Sequence, residues 1–140
     1  MTDIELAKKA LSGHTIALCR DGDTVTSDKR GVAPMVDFIC EGRDLRGYSA
    51  ADKIVGKAAA VLFIKAGIKE VFAEVISKSA KEILSLHGVP FSFGKETERI
   101  INREGTGLCP METAVSEIDD VDTAFEAICR RLESLRGAKK

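Results

Sequence analysis

Ser49-Ala50-Ala51-Asp52-Lys53-Ile54-Val55-Gly56-Lys57-Ala58-Ala59-Ala60 is the stretch on which the fold turns. Read by pattern, it opens a helix. Ser49 through Asp52 approximates a capping box, with Asp where Glu or Gln is usual. Ile54, Val55, Ala58, Val61, Leu62 and Ala66 recur at helical spacing, and Gly67 supplies a stop. On this reading Lys53 and Lys57 lie one turn apart on one side of the helix, near its positive end. Like charges at that spacing repel by roughly 0.2–0.5 kcal/mol. A bound phosphate or carboxylate would reverse the penalty and use free backbone N–H groups, while Gly56 and the alanines let it approach. The competing reading is two solvated lysines paired with nearby acids such as Asp52. A phosphate loop is excluded, because it needs Gly and Ser or Thr where this chain has Ala51 and Ala58.

Outward from this segment, helices and strands alternate. Toward the N-terminus, residues 2–12 form an amphipathic helix and His14 to Arg20 a strand. Asp21-Gly22 signals a hairpin into Thr24-Val25-Thr26, and Ala33 to Cys40 has helical spacing. Toward the C-terminus, Ile68 to Ile76 reads as a strand covered on both faces, and Ser77 to His87 as a helix. Val89 to Phe93 is a short strand whose Pro90 places it at a strand start or sheet edge. Glu96 to Arg103 fits either a strand or a helix. Pro110 to Glu117 and Val121 to Leu135 read as helices, the second strongly amphipathic. Within the strand, Glu74 is expected to face solvent. The expected architecture is a three-layer α/β/α sandwich with a central mixed sheet, one domain over residues 1–136 and a tail over 137–140.

Composition narrows the function classes. A 140-residue chain that is 44% hydrophobic can bury a real core. Its net charge of -1 argues against a general nucleic-acid binder, and no apolar run reaches the ~20 residues of a membrane span. The N-terminus lacks the pattern of a secretion signal, so a cytoplasmic protein with reduced thiols is expected. Cys19, Cys40, Cys109 and Cys129 form no C-x-x-C pair, so neither a metal site nor a bound cofactor is expected.

A second group of residues runs from Asn102-Arg103 through two glycines to Cys109-Pro110-Met111-Glu112. It delivers Cys109 to a helix start, with Pro110 suited to the first helical position. A thiol there can become a nucleophile, yet neither His14 nor His87 is close in sequence to serve as base, and an unreactive structural thiol is the competing reading. Glu112 could pair with Lys53 or Lys57 across a pocket, and Arg103 could grip an anion with two N–H groups. Tyr48 fits either a stacking platform or a hydrophobic staple ahead of the helix.

Taken together, Asp52-Lys53-x-x-Gly56-Lys57-Ala58-Ala59-Ala60, Ile76-Ser77 before Ala80, Asn102-Arg103 and Cys109-Pro110-Met111-Glu112 resemble a small prokaryotic family, domain of unknown function 1893. The resemblance covers nearly the whole chain after the first helix and implies a fold similar to cytidine deaminases. Zinc deaminases require His or Cys, one residue, then Glu, and later P-C-x-x-C. The aligned Lys57-Ala58-Ala59 and Ser77-Lys78-Ser79-Ala80-Lys81 supply neither ligands nor acid, and Cys109-Pro110 comes late and in reversed order. Zinc-dependent deamination is therefore not expected.

Three functional readings follow. In the first, a metal-free pocket binds a nucleotide or a sugar phosphate of ADP-ribose type. Lys53, Lys57 and Arg103 meet the phosphate, and Asp52, Gly56, Ser77, Asn102 and Cys109 complete the wall. In the second, an enzyme uses Lys57 as nucleophile or base with Cys109 or Glu112. In the third, the chain is an assembly protein forming a homodimer.

Overall fold

The computed structural model describes residues 2–29, 31–100 and 109–137. Five strands form one sheet in the order β2-β1-β3-β4-β5. β1 (Ile16–Arg20) and β2 (Asp23–Ser27) make the expected hairpin, with Arg20 opposite Asp23. Asp21 and Gly22 both take positive φ, 50° and 84°, which matches the twist of the flanking strands. β1 also runs antiparallel to β3 (Ser49–Val55). β3, β4 (Glu70–Ser77) and β5 (Phe91–Thr97) are mutually parallel. The sheet is thus mixed, as expected.

Parallel neighbours need crossovers. α3 (Lys57–Ala66) links β3 to β4, and α4 (Lys78–Leu86) links β4 to β5. Both pack on one face of the sheet, joined there by α2 (Ala33–Cys40), α5 (Pro110–Val115) and α6 (Val121–Gly137). That face holds the main core, with Phe63, Leu62, Val61, Ile76, Leu84 and Ile128 fully buried. α1 (Asp3–Ala10), capped by a reciprocal box between Thr2 and Glu5, covers the other face through Ala7 and Leu11. Three layers result.

The structure overturns the central expectation. Residues 49–55 are strand, and the helix starts at Lys57 with Gly56 as its N-cap. Lys53 and Lys57 therefore share no helical face. Serine and alanines suit a helix by intrinsic preference, but Ala50 faces the main core and Ala51 faces α1. A central strand approached closely by helices on both sides wants small side chains, so sheet pairing wins over propensity. Ala50 and Val55 both reach the main core, so the strand's alternation changes phase between them, leaving Ile54 54% exposed.

The other departures are smaller. β5 begins after Pro90, whose carbonyl accepts from Val71 N at 3.1 Å, and continues to Thr97. It thereby absorbs the start of the ambiguous segment. The end of that segment, with Asn102 and Arg103, lies outside the described residues. Glu74 is exposed, as expected. Among the described residues no helix is long and apolar enough to cross a membrane.

Candidate functional site

The parallel strands β3, β4 and β5 all end on one side of the sheet, and in open α/β sheets that is where ligands bind. There the chain turns from Val55 through Gly56 into α3, and from Ser77 into α4. Ser77 is fully buried and spends its hydroxyl as the N-cap of α4, accepting from Ala80 N at 3.2 Å. Its Oγ also lies 3.3 Å from Ser79 Oγ.

The start of α3 is already occupied. Glu112 Oε1 accepts from Lys57 N at 2.8 Å, and Oε2 accepts from Ala58 N at 2.9 Å. The buried carboxylate thus satisfies two otherwise orphan donors and places negative charge where the helix dipole favours it. Sequence reasoning expected a ligand at the free N–H groups of this helix, and a pairing of Glu112 with the side chain of Lys53 or Lys57. In the folded chain Glu112 is itself the anion at this helix.

Gly56 explains how it fits. A Cβ at residue 56 would stand 2.3 Å from Glu112 Oε1 and 2.5 Å from Cδ. With φ at -99°, the backbone is open to any residue, so glycine serves here for space alone. The room read from the sequence as space for a ligand or backbone is filled by Glu112.

Lys57 lies beside this contact, its side chain 10% exposed. Its Nζ reaches Ser116 O at 3.4 Å and Asp119 Oδ1 at 3.3 Å, both long for charged partners. The Asp119 side chain is itself 91% exposed, so the ion pair is loosely held.

These groups border a small open cleft of about 150 Å³, lined by Lys57, Ser79, Glu98, Arg99, Ile100, Glu112 and Ser116. Among the described residues its cations are Lys57 and Arg99. Of its acids, Glu112 is engaged by α3 and Glu98 pairs with Lys78 at 2.6 Å. Arg99 makes no ion pair among the described residues. Sequence reasoning missed Arg99, Ser79 and Ser116. Arg99 falls in the stretch whose secondary structure was ambiguous, and the serines become visible only once α4 and α5 are placed.

Other expected site residues stand elsewhere. Lys53 is exposed on β3, away from the cleft lining. Asp52 is half-buried on the same strand. Burial pushes its carboxyl up to about 7, aided by the charge of Glu74 and opposed by the N–H groups of Ile54 and Lys53. Cys109 is the N-cap of α5, half-buried, and its thiol shares no hydrogen bond with Lys57 among the described residues. Tyr48 is buried near the hairpin, where its hydroxyl donates to Asp23 and the Arg20 guanidinium covers its ring at 4.5 Å. Both of its uses are internal. Among the described residues no group of three metal-ligating side chains converges.

Fold and site together define a three-layer α/β domain with a small cleft at the carboxyl ends of its parallel strands. The chain belongs to the family described as domain of unknown function DUF1893, whose model matches residues 5–132. Its structure is similar to that of a DUF1893 family protein (TM1506) from Thermotoga maritima. The two are 28% identical, with a TM-score of 0.82 over 96% of this chain and 91% of that one. A second likeness is to a diaminohydroxyphosphoribosylaminopyrimidine deaminase/5-amino-6-(5-phosphoribosylamino)uracil reductase from Thermotoga maritima. It has 23% identity and a TM-score of 0.42, over 65% of this chain and 34% of that one. No curated protein matches the chain.

Proposed function

We propose that this domain binds a small phosphorylated molecule, a nucleotide or a sugar phosphate, by seating its phosphate in the cleft beside Lys57. The observation that carries the reading is the Lys57 ammonium, nearly enclosed yet served, among the described residues, only by two long contacts. A cation taken from water needs close partners, and an incoming oxyanion supplies them. Arg99 adds a second charge able to form paired N–H bonds to phosphate. Ser79 adds a hydroxyl at the opening turn of α4, where the helix dipole also favours an anion.

Size refines the reading. At about 150 Å³ the cleft is well below the ~300–1,000 Å³ typical of pockets that enclose a whole small molecule. It suits one phosphate group, with the remainder of the ligand lying outside. Among the described residues no aromatic side chain lines it, so the reading rests on the phosphate and not on a stacked base.

The test is thermal unfolding with inorganic phosphate, a sugar phosphate, ADP-ribose and nucleoside mono- and diphosphates, at fixed ionic strength. Native mass spectrometry of protein purified from cells accompanies it. Phosphorylated ligands raise the midpoint, and Lys57→Ala or Arg99→Ala weakens binding by about 10–100-fold, the loss of one charge-assisted bond. Arg99 is exposed, so its variant folds and separates lost binding from lost structure. Unchanged midpoints with every ligand, together with an adduct-free native mass, would refute the reading.

A further inference from the structure

The cleft lining holds an acid that binding a phosphate does not call for. Glu98 stands in the same wall as Lys57 and Arg99, and a carboxylate beside a bound phosphate repels it. Glu112, the other acid there, is spent on the start of α3. Glu98 is held differently. Its side chain is 74% exposed and meets Lys78 Nζ through Oε1 at 2.6 Å, while no partner holds Oε2 among the described residues. An exposed ion pair of this kind contributes little to stability. Its effect is on the cleft: Lys78 offsets the repulsion between Glu98 and an incoming anion, and leaves a carboxylate oxygen ready to accept a hydrogen bond.

Building on the phosphate reading of the cleft, we propose that Glu98 is a specificity-determining residue. It accepts from hydroxyl groups on the carbons next to the phosphate, so that the cleft selects a polyol or sugar phosphate over a phosphate ester with an apolar tail.

Depth supports the assignment. The Lys57 side chain is nearly enclosed, whereas that of Glu98 stands toward solvent. A cleft of about 150 Å³ holds one phosphate group and leaves the rest of the ligand outside. The atoms just beyond the ester oxygen therefore pass the rim, where Glu98 stands. A carboxylate there accepts hydrogen bonds and donates none, so it favours O–H donors over an alkyl chain or a second anion. The two serines of the lining have internal partners. Ser116 Oγ donates to Thr113 O at 3.1 Å, and Ser79 Oγ lies 3.3 Å from Ser77 Oγ.

The experiment is an NMR titration of the full-length protein with glycerol 3-phosphate and with n-propyl phosphate, at fixed pH and ionic strength. The two ligands share a carbon skeleton and a phosphate, and differ by two hydroxyls. Wild type binds glycerol 3-phosphate about 10-fold more tightly, the contribution of one hydrogen bond to a charged acceptor. Glu98→Ala changes an exposed side chain, so the fold is retained. It weakens glycerol 3-phosphate and strengthens n-propyl phosphate, because an acceptor and a repelling charge are lost together, and the preference disappears. A general disturbance of the cleft would weaken both. Equal binding of the two ligands to wild type overturns the proposal and leaves the phosphate reading standing. So does a preference that survives in Glu98→Ala, or a parallel loss of both ligands in that variant. Binding of neither compound refutes the phosphate reading and this proposal with it.

Discussion

Glu112 and Gly56 are energetically one feature, and a double-mutant cycle exposes it. Glu112→Ala removes an acceptor that holds Lys57 N at 2.8 Å and Ala58 N at 2.9 Å. A hydrogen bond to a charged group contributes about 1.5–3 kcal/mol, and two such bonds would sum to about 3–6. Glu112 also lines the open cleft, so water can enter and recover part of that loss. The expected cost is about 3 kcal/mol. Gly56→Ala places a methyl 2.3 Å from the same carboxylate and drives it off the helix, for a similar cost of about 3 kcal/mol. Once Glu112 is alanine the obstruction is gone, and alanine accepts the backbone at φ -99°. The double variant should therefore lose about 3 kcal/mol, not about 6, a coupling of about 3. Urea titrations with a shared m-value measure all corners of the cycle. Additive losses would refute the reasoning, showing that Gly56 matters for something other than space for Glu112.

Asp52 gives a pH-dependent prediction. Folded, it holds its proton up to about 7, whereas its ordinary value is 3.8, so the folded state binds more protons between the two. Ionising Asp52 then costs stability progressively as pH rises through that window. Asp52→Asn should be close to neutral at pH 4 and stabilising by on the order of 2–4 kcal/mol at pH 8. A stability difference that stays flat across urea titrations at those pH values would contradict the assignment. Ser77→Ala removes the N-cap of α4 at a fully buried position and should cost about 1–2 kcal/mol. Amide hydrogen exchange should show the loss first at Ala80 N, and unchanged protection there would count against the capping role.

Much of the fold was legible in the sequence. The Asp21-Gly22 turn, the glycine stop after α3, the solvent-facing Glu74 and the amphipathic α6 each follow from local chemistry that the surroundings left intact. The same is true of Cys109-Pro110 opening α5, because proline fits a first helical position whatever packs around it.

The contacts around Gly56 and Lys57 were misread from the sequence. Sequence alone read residues 49–60 as one helix, and expected an anion because Lys53 and Lys57 would lie one turn apart near its start. That the anion is Glu112, 55 residues along the chain, was not encoded in any local pattern. Nor was the state of residues 49–55, because a run of serine and alanine suits a helix in isolation and a strand when helices crowd both of its faces. Local preference and turn chemistry are properties of neighbours in sequence, and they determined most of the elements but not β3. Which carboxylate met which N–H group was decided by packing between distant segments. Those energies exist only once the layers have closed.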